Sequence, residues 1–221
     1  MELEVKNVGL SFAGRAVLRD VNLTLPAQSR ALLLGPSGSG KSSLLNIICG
    51  LRSPDSGTVT FGTATLAGAG GAKGSDSVRK RHMGIVFQTL KLVSALSVKA
   101  NLALAQRLQT GSTDAALVTA TLERLGIADR ASARPHQLSQ GEAQRAAIAR
   151  ALVVKPDILI ADEPTSALDH ANTEAVAALL IEAAEQAGAS LLIATHDDRL
   201  HAHFERTLVL EDGAVREGVP A

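Results

Sequence analysis

Eight consecutive residues, from Gly35 to Ser42, place glycines, a lysine and a serine at the spacing G-x-x-x-x-G-K-S. They follow a short predicted strand, Arg30–Leu34, which is apolar from Ala31 onward, and they lead into a run with helical periodicity, Lys41–Ile48. Glycines let backbone N–H groups curl around an anion, and the helix N-terminus adds partial positive charge. The lysine supplies a mobile cation, and the serine hydroxyl is suited to ligate Mg²⁺. In this strand–loop–helix context the pattern predicts a loop that binds nucleotide phosphates.

Two adjacent acids, Asp162 and Glu163, end the apolar run Ile158–Ala161. Neighbouring side chains on a strand point to opposite faces, so the two carboxylates are expected to do different work. Asp162 is suited to the shell of a Mg²⁺ ion, and Glu163 to orienting or deprotonating an attacking water. The alternative is a solvated acidic turn before Pro164, which the upstream phosphate loop disfavours.

The segment Leu138–Glu142 precedes a run with helical periodicity. Ser139 is a natural N-cap, and Glu142 follows three residues later, so these residues predict a capping box. On physical grounds alone this structural interpretation is preferred. It is compatible with a second one, because a capped helix N-terminus is also an anion site.

Four single residues are further candidates, each with a structural alternative. Gln88 follows an apolar strand, where it would reach Mg²⁺ or water, or would simply lie on the surface. Asp169 would act in the site or cap the next helix, and His196 would contact a γ-phosphate or serve a structural role. Phe12 would stack on an adenine ring or pack in the core, and the sequence by itself favours the core.

Short apolar or alternating runs predict strands that bring these groups together. The predicted strands are Leu3–Val8, Val17–Leu25, Arg30–Leu34, Thr58–Phe61, Met83–Phe87, Ile158–Ala161, Ser190–Ala194 and Thr207–Leu210. Helical patterns cover Lys41–Ile48, Asp114–Leu125, Gly141–Val153 and Thr173–Ala187. Alternating strands and helices predict an α/β fold with a mostly parallel sheet, whose carboxyl edge gathers the functional groups, and an N-terminal antiparallel β layer.

The chain from Gln88 to about Val154 has no strand candidate, which predicts a helical subdomain over about 89–154, with the catalytic core and β layer in 1–88 and 155–221. The stretch Gly62–Ser77 is rich in Gly, Ala and Ser without periodicity, and we expect a long mobile loop there.

The amino-acid composition limits the classes of partner and the cellular location that we expect. Lys+Arg and Asp+Glu balance at 22 each, and the chain has four Phe with no Trp or Tyr. The sequence shows no basic excess and no Trp or Tyr for stacking on bases, so we do not expect nucleic acid as a partner. A single cysteine, Cys49, and an N-terminus without a basic and apolar leader predict a cytoplasmic protein. Its apolar runs are too short for a membrane span.

Taken in order, these motifs resemble those of the ABC ATPases over essentially the whole chain. GPSGSGKS is similar to the Walker A motif, LSQGE to the signature, ILIADE to the Walker B motif and SALD to the D-loop. Phe12, Gln88 and His196 stand at the positions of the adenine-stacking aromatic, the Q-loop and the switch histidine.

The resemblance implies an active ATPase with a P-loop NTPase core, an antiparallel β layer and a helical subdomain. Its implied cofactors are ATP and Mg²⁺. Glu163, His196 and Gln88 would be catalytic, and Ser42, Gln88 and Asp162 would hold the metal. The implied nucleotide contacts are Phe12, Val17, Gly35, Pro36, Ser37, Gly38, Ser39, Gly40, Lys41, Ser42, Ser43, Ser139, Gly141 and Asp169.

In this family two domains face head to tail, so the resemblance implies a homodimer that closes on ATP, with Ser139 and Gly141 contacting the other copy's nucleotide. Gln140 stands where the family usually has glycine, which adds bulk but leaves both contact residues in place. The Gly/Ala-rich stretch after Phe61 also departs from the more polar insert of relatives.

Stretches such as LSQGEAQRAAIARAL and ADEPTSALD resemble the lipoprotein-releasing, macrolide-exporter and cell-division branch. This implies a peripheral subunit on the cytoplasmic face of the membrane that drives a separate transmembrane permease, with export or extrusion as the expected work. One alternative is a nucleotide-gated regulator of an envelope enzyme that moves no cargo. Another is a soluble ABC protein acting on ribosomes or DNA, which the lack of tandem domains and basic extensions disfavours.

Overall fold

A computed structural model describes residues 1–71, 74–165 and 170–218 of the chain, and for residues 170–172 it describes the backbone only. The strands are β1 Leu3–Phe12, β2 Arg15–Leu25, β3 Arg30–Leu34, β4 Ser56–Phe61, β5 Ala64–Gly68, β6 Met83–Val86, β7 Ile158–Asp162, β8 Ser190–Thr195, β9 Arg206–Glu211 and β10 Ala214–Glu217. The α-helices are α1 Lys41–Ile48, α2 Ser75–His82, α3 Val98–Thr110, α4 Ala115–Arg124, α5 Gln140–Leu152 and α6 His170–Ala187. Short 3₁₀ helices cover Ala128–Arg130, Pro135–Gln137 and Asp198–His203.

Two sheets form the frame. One has the order β2-β1-β4-β5 with antiparallel neighbours. The other has the order β10-β9-β3-β8-β7-β6, and all its neighbours are parallel except β9 and β10. The predicted α/β class, with a mostly parallel sheet and an N-terminal antiparallel layer, is confirmed.

The central strands of the larger sheet are buried on both faces, which explains why they read as continuous apolar runs. On β3, Leu33 belongs to the core beneath the antiparallel layer and α1, while its neighbour Leu32 belongs to the core with α5 and α6. On β7 the same alternation separates Ile160 from Leu159. Because successive side chains point to opposite faces of the sheet, both layers pack against the same sheet.

Parallel pairing brings the functional segments to one edge. In the register of β3 with β8, Leu34 lies opposite Thr195, and in that of β7 with β8, Asp162 lies opposite Ala194. The loop after β3, the acids ending β7 and the residues after β8 thus meet at the carboxyl end of the sheet.

Between β6 and β7 the chain is described throughout, and its regular elements are α3, α4, α5 and short 3₁₀ turns. This agrees with the helices expected over about 89–154; the division into subdomains stays a prediction.

The prediction of a mobile loop over Gly62–Ser77 is wrong. Residues Ala64–Gly68 form β5, which pairs antiparallel with β4, and α2 begins at Ser75. Leu66 and Ala67 are buried in the core. Five residues are too short a run to show alternation, and pairing with β4 decides their conformation. Residues 72–73 of this stretch lie outside the description.

Candidate functional site

The loop between β3 and α1 is shaped by close contacts that only glycine permits. A Cβ on Gly35 would lie 2.5 Å from the carbonyl oxygen of Leu210. Gly40 has φ +106°, and a Cβ there would meet a side-chain carbon of Val17 at 3.1 Å. Val17 therefore packs against the loop, while a Cβ on Gly38 would meet no atom of the described part of the chain within 4 Å. Neighbouring segments therefore pack closely against the loop at Gly35 and Gly40, and the loop is open at Gly38.

Lys41, the first residue of α1, folds back over this loop. Its Nζ donates hydrogen bonds to the carbonyl oxygens of Gly35 at 2.7 Å and Pro36 at 3.1 Å. The same nitrogen lies 3.2 Å from Oε1 of Glu163, and both side chains are buried. The lysine thus stands between the loop and the acid that ends β7.

Glu163 is held on both of its carboxylate oxygens. Oε2 accepts a hydrogen bond from the hydroxyl of Thr195 at 3.2 Å and lies 2.9 Å from Nδ1 of His196. The backbone has φ +46° at Glu163, and its N–H donates to Ala194 at 2.8 Å. This conformation turns the side chain away from the strand direction, toward Lys41.

Asp162 has different partners, as the alternation of strand side chains predicts. The Ser42 hydroxyl donates to its Oδ1 at 3.1 Å. Burial raises the pKa of the Asp162 carboxyl, and this hydrogen bond partly opposes the rise. A carboxylate beside a hydroxyl is an oxygen donor set that fits a hard cation such as Mg²⁺.

The loop also has an unused polar atom. The hydroxyl of Ser39 is buried and has no hydrogen-bond partner among the described residues. Buried hydroxyls are normally paired, so Ser39 fits a loop that satisfies its donors with a phosphate.

A cavity of about 650 Å³ runs from this loop to the β1–β2 hairpin and the β9–β10 turn. Its lining comprises Arg15, Ala16, Val17, Arg19, Pro36, Ser37, Gly38, Ser39, Glu211, Asp212 and Gly213. The exposed ring of Phe12 lies at the end of β1, and the guanidinium carbon of Arg52 is 4.1 Å from its centroid. Phe12 is therefore not a core residue, contrary to the interpretation that its sequence context alone favoured.

The signature segment adopts the predicted capping box. The Glu142 N–H donates to the Ser139 hydroxyl at 3.3 Å, and the Ser139 N–H donates to Oε2 of Glu142 at 2.7 Å. Oε1 of Glu142 accepts a hydrogen bond from Nε of Arg130 at 2.6 Å. This hydrogen bond, together with those that Glu142 makes with Ser139, lowers the pKa of Glu142 to about 2. These contacts hold the segment on the helical part of the chain and do not join it to the loop before α1.

The remaining predicted residues are placed as follows. Gln88 is exposed just beyond β6, and Ser43 is half-buried in the first turn of α1. Asp169 lies outside the described residues. His201 and His203 face separate partners, Thr207 Oγ1 at 2.6 Å and Glu174 Oε2 at 2.5 Å.

Sequence reasoning missed Thr195, Arg52 and Arg130 as contributors. Thr195 is fully buried and polar at the end of an apolar strand, directly before His196, which was a usable signal. The contacts of Arg52 and Arg130 depend on loops whose approach no local pattern shows.

A glycine loop between a parallel strand and a helix, with an Asp-Glu pair at the end of a nearby strand of the same sheet, defines a P-loop nucleoside triphosphatase. Residues 18–166 match the family model described as ABC transporter. The chain belongs to the ABC transporter family and is an ATP-binding, ATP-hydrolysing subunit, as the sequence resemblance predicted.

Related proteins and solved structures support this family assignment. The lipoprotein-releasing system ATP-binding protein LolD of Shewanella denitrificans is 39% identical, covering 91% of this chain and 87% of its own. LolD of Anaplasma marginale is 38% identical, covering 97% and 98%. The dimeric structure of MJ0796, described as a bacterial ABC transporter cassette, superposes with a TM-score of 0.87 at 33% identity, covering 99% of each chain. A dimeric post-hydrolysis state of MJ0796 bound to ADP and Pi gives 0.88 at 32% identity, again covering 99% of each chain.

Within residues 1–71, 74–165 and 170–218, no helix combines the length and the hydropathy needed to cross a membrane.

Proposed function

We propose that two copies of this chain bind two MgATP between them, hydrolyse ATP with Glu163, and transmit closure and opening to a separate membrane permease. The observation that carries the proposal is the position of Glu163. Its carboxylate lies between the phosphate-loop lysine and His196, at the edge of the sheet where the loop begins.

In this proposal Glu163 orients a water molecule and accepts its proton as the water oxygen attacks the γ-phosphorus. The bond to the leaving ADP oxygen breaks, and ADP and phosphate are the products. Lys41 moves from Glu163 to the β- and γ-phosphates, which frees the carboxylate when ATP arrives. His196 holds the carboxylate and contacts the γ-phosphate, and exposed Gln88 senses the nucleotide from the opposite side.

The metal assignment rests on donor chemistry. Ser42, Asp162 and Gln88 would hold Mg²⁺ beside the phosphates, where the ion neutralises charge that develops on their oxygens. The adjacent Ser42 hydroxyl and Asp162 carboxylate support the first two assignments.

The nucleotide contacts are assigned by segment. Phe12, at the end of β1, stacks on the adenine, and Val17, which lines the cavity beside the hairpin, flanks the ribose. The loop contacts are Gly35, Pro36, Ser37, Gly38, Ser39, Gly40, Lys41, Ser42 and Ser43. Asp169 is retained from the family resemblance as a residue that couples the two sites.

The second copy is proposed to contribute Ser139 and Gly141. A hydroxyl has one donor and two acceptor sites. The capping box uses an acceptor site of Ser139, which leaves its O–H to donate to a phosphate of the other copy. A Cβ on Gly141 would meet nothing within 4 Å among the described residues, so its backbone is open to close approach. The dimeric MJ0796 cassettes support the pairing of two copies.

The permease is proposed to dock on an apolar groove of about 250 Å³ between the core and the helical part. Leu51, Ile85 and Phe87 line one wall, and Ala105 and Leu108 the other. Leu51 and Leu108 are 45% and 60% exposed and line the same groove, which suits a short amphipathic helix from a cytoplasmic loop of the permease. Phe87, which lines the groove, directly precedes Gln88 in the chain, so docking and nucleotide sensing would be coupled. In this proposal the chain lies on the cytoplasmic face of the membrane.

The proposed domain division keeps 1–88 and 155–221 as catalytic core and β layer, with about 89–154 as the helical subdomain that carries the signature and one wall of the groove.

Glu163→Gln tests the catalytic assignment. The variant keeps the shape and hydrogen bonding of the side chain but loses the base, so phosphate release should fall by about 10²–10⁴-fold. Binding of a fluorescent ATP analogue should persist. Undiminished phosphate release would show that Glu163 is not the base.

A further inference from the structure

The signature segment carries a negative charge at the position where the other copy's phosphates are expected. Glu142 lies in the first turn of α5, and its carboxylate is fixed by the N–H of Ser139 at 2.7 Å. An anion at a helix N-terminus offsets the partial positive charge that would attract a phosphate. Taken alone, Glu142 would weaken the segment as a phosphate site.

Arg130 compensates the negative charge of Glu142. Its Nε donates to Oε1 of Glu142 at 2.6 Å, so the two oxygens of the carboxylate are divided between the arginine and the N-cap backbone. Charge-assisted hydrogen bonds of this kind are short and directional. The Arg130–Glu142 pair has no net charge, so it removes the local charge of Glu142 at the helix N-terminus. Asp129 Oδ2 also lies 3.6 Å from Nε of Arg130, but this carboxylate is 70% exposed and is screened by solvent.

The turn that carries Arg130 is itself anchored to α5. Nη1 of Arg145, on α5, donates to the carbonyl oxygen of Leu125 at 3.1 Å, just ahead of the 3₁₀ helix Ala128–Arg130. The backbone N–H of Arg130 donates to Ile127 at 3.0 Å. Arg130 therefore reaches Glu142 from a fixed point on the neighbouring turn.

We propose that Arg130 is a positioning residue for the second half of the nucleotide site, holding and neutralising Glu142 so that Ser139 and the start of α5 can receive the γ-phosphate of ATP bound to the other copy. The inference rests on the proposed function, because the phosphate in question belongs to the other chain of the dimer. It assigns a role to a residue outside the phosphate loop, the signature and the acids of β7.

The test measures ATP-dependent dimerisation by light scattering in a Glu163→Gln background, where hydrolysis does not reopen the dimer. Arg130→Met removes the guanidinium and keeps an aliphatic side chain. It should raise the ATP concentration for half-maximal dimerisation by about five-fold, the size expected for one uncompensated charge near a helix N-terminus. Because the defect is electrostatic, it should shrink as NaCl is raised from about 0.05 M to about 0.5 M.

Rescue separates charge from structure. Adding Glu142→Gln to Arg130→Met removes the uncompensated charge and keeps an oxygen for the Ser139 N–H, so the ATP requirement should return to within about two-fold of the parent. Arg124→Met, at an exposed position in the last turn of α4, makes the same change of charge elsewhere and should leave the parent value in place.

The outcomes are distinct. An Arg130→Met protein that dimerises like its parent overturns the inference alone, and so does a defect that Glu142→Gln fails to relieve. A Glu163→Gln parent that binds ATP and stays monomeric at every concentration overturns the proposed function, and this inference falls with it.

Discussion

Replacing Lys41 with methionine should destabilise the nucleotide-free protein, because it leaves the buried Glu163 carboxylate without its nearest cation. Lys41 Nζ lies 3.2 Å from Glu163 Oε1, and the two side chains are 5% and 9% exposed. Methionine keeps most of the aliphatic stem, so the substitution isolates the contribution of the ammonium group.

The expected size follows from that geometry. Two unit charges 3.2 Å apart attract by about 5 kcal/mol at an effective dielectric constant of about 20, before desolvation is subtracted. Removing one partner of a buried pair costs about 3–5 kcal/mol, since the other charge is left behind. Glu163 keeps its contacts with Thr195 and His196, so the lower bound of about 3 kcal/mol applies. In a chain of this length that lowers Tm by about 6–12 °C.

The assay is calorimetric and urea unfolding without nucleotide, for Lys41→Met in the wild-type and Glu163→Gln backgrounds. With glutamine at the second position no charge is left uncompensated, and Lys41→Met should cost about 1 kcal/mol or less. The difference between backgrounds measures the pair directly. An equal cost in both would refute the argument that the pair stabilises the resting site.

Further changes test other parts of the account. Ser42→Ala should raise the Mg²⁺ concentration for half-maximal ATPase activity by about ten-fold, because a metal ligand is lost; an unchanged Mg²⁺ titration would contradict its role. Phe12→Ala should raise KM for ATP about five-fold through lost stacking, while the tyrosine variant stays within about two-fold; equal KM values for the two variants would count against stacking. Burial raises the pKa of the Cys49 thiol to about 12, so at pH 8 it should resist iodoacetamide in the native protein and react once unfolded, as mass spectrometry can show; full labelling of the native protein would be inconsistent with the buried site. Leu108→Glu should abolish co-purification of a polytopic membrane protein from detergent-solubilised membranes, whereas Val93→Glu, exposed outside the groove, should not; equal recovery with both variants would remove the groove from the docking surface.

Much of the parallel sheet was predictable because its strands carry strong local signals. The runs Ala31–Leu34 and Ile158–Ala161 are apolar throughout, as strands buried on both faces must be, and each leads directly into a functional segment at the carboxyl edge. The loop Gly35–Ser42 and the capping box at Ser139 depend on residues close in sequence, so their spacing was sufficient to predict them.

The parts that escaped prediction depend on long-range pairing. β5 is a short Ala-rich segment that becomes a strand through β4, and α2 is a polar eight-residue helix beside Gly/Ala-rich sequence. The contact of Lys41 with Glu163 joins residues far apart in the chain and follows from the sheet order β3-β8-β7. Strand order is a property of the whole sheet, which a single strand does not encode.

The most direct measurement of the central claim separates the two halves of the ATP site. In the Glu163→Gln background, addition of Ser139→Ala should leave ATP binding by the monomer within about two-fold, because the phosphate loop is complete within its own chain. The same change should weaken ATP-dependent dimerisation by at least about ten-fold, since a hydrogen bond to a charged group is lost in each of the two sites. Undiminished dimerisation by the Ser139→Ala protein, or an equal loss of ATP binding by the monomer, would contradict a site completed by a second copy.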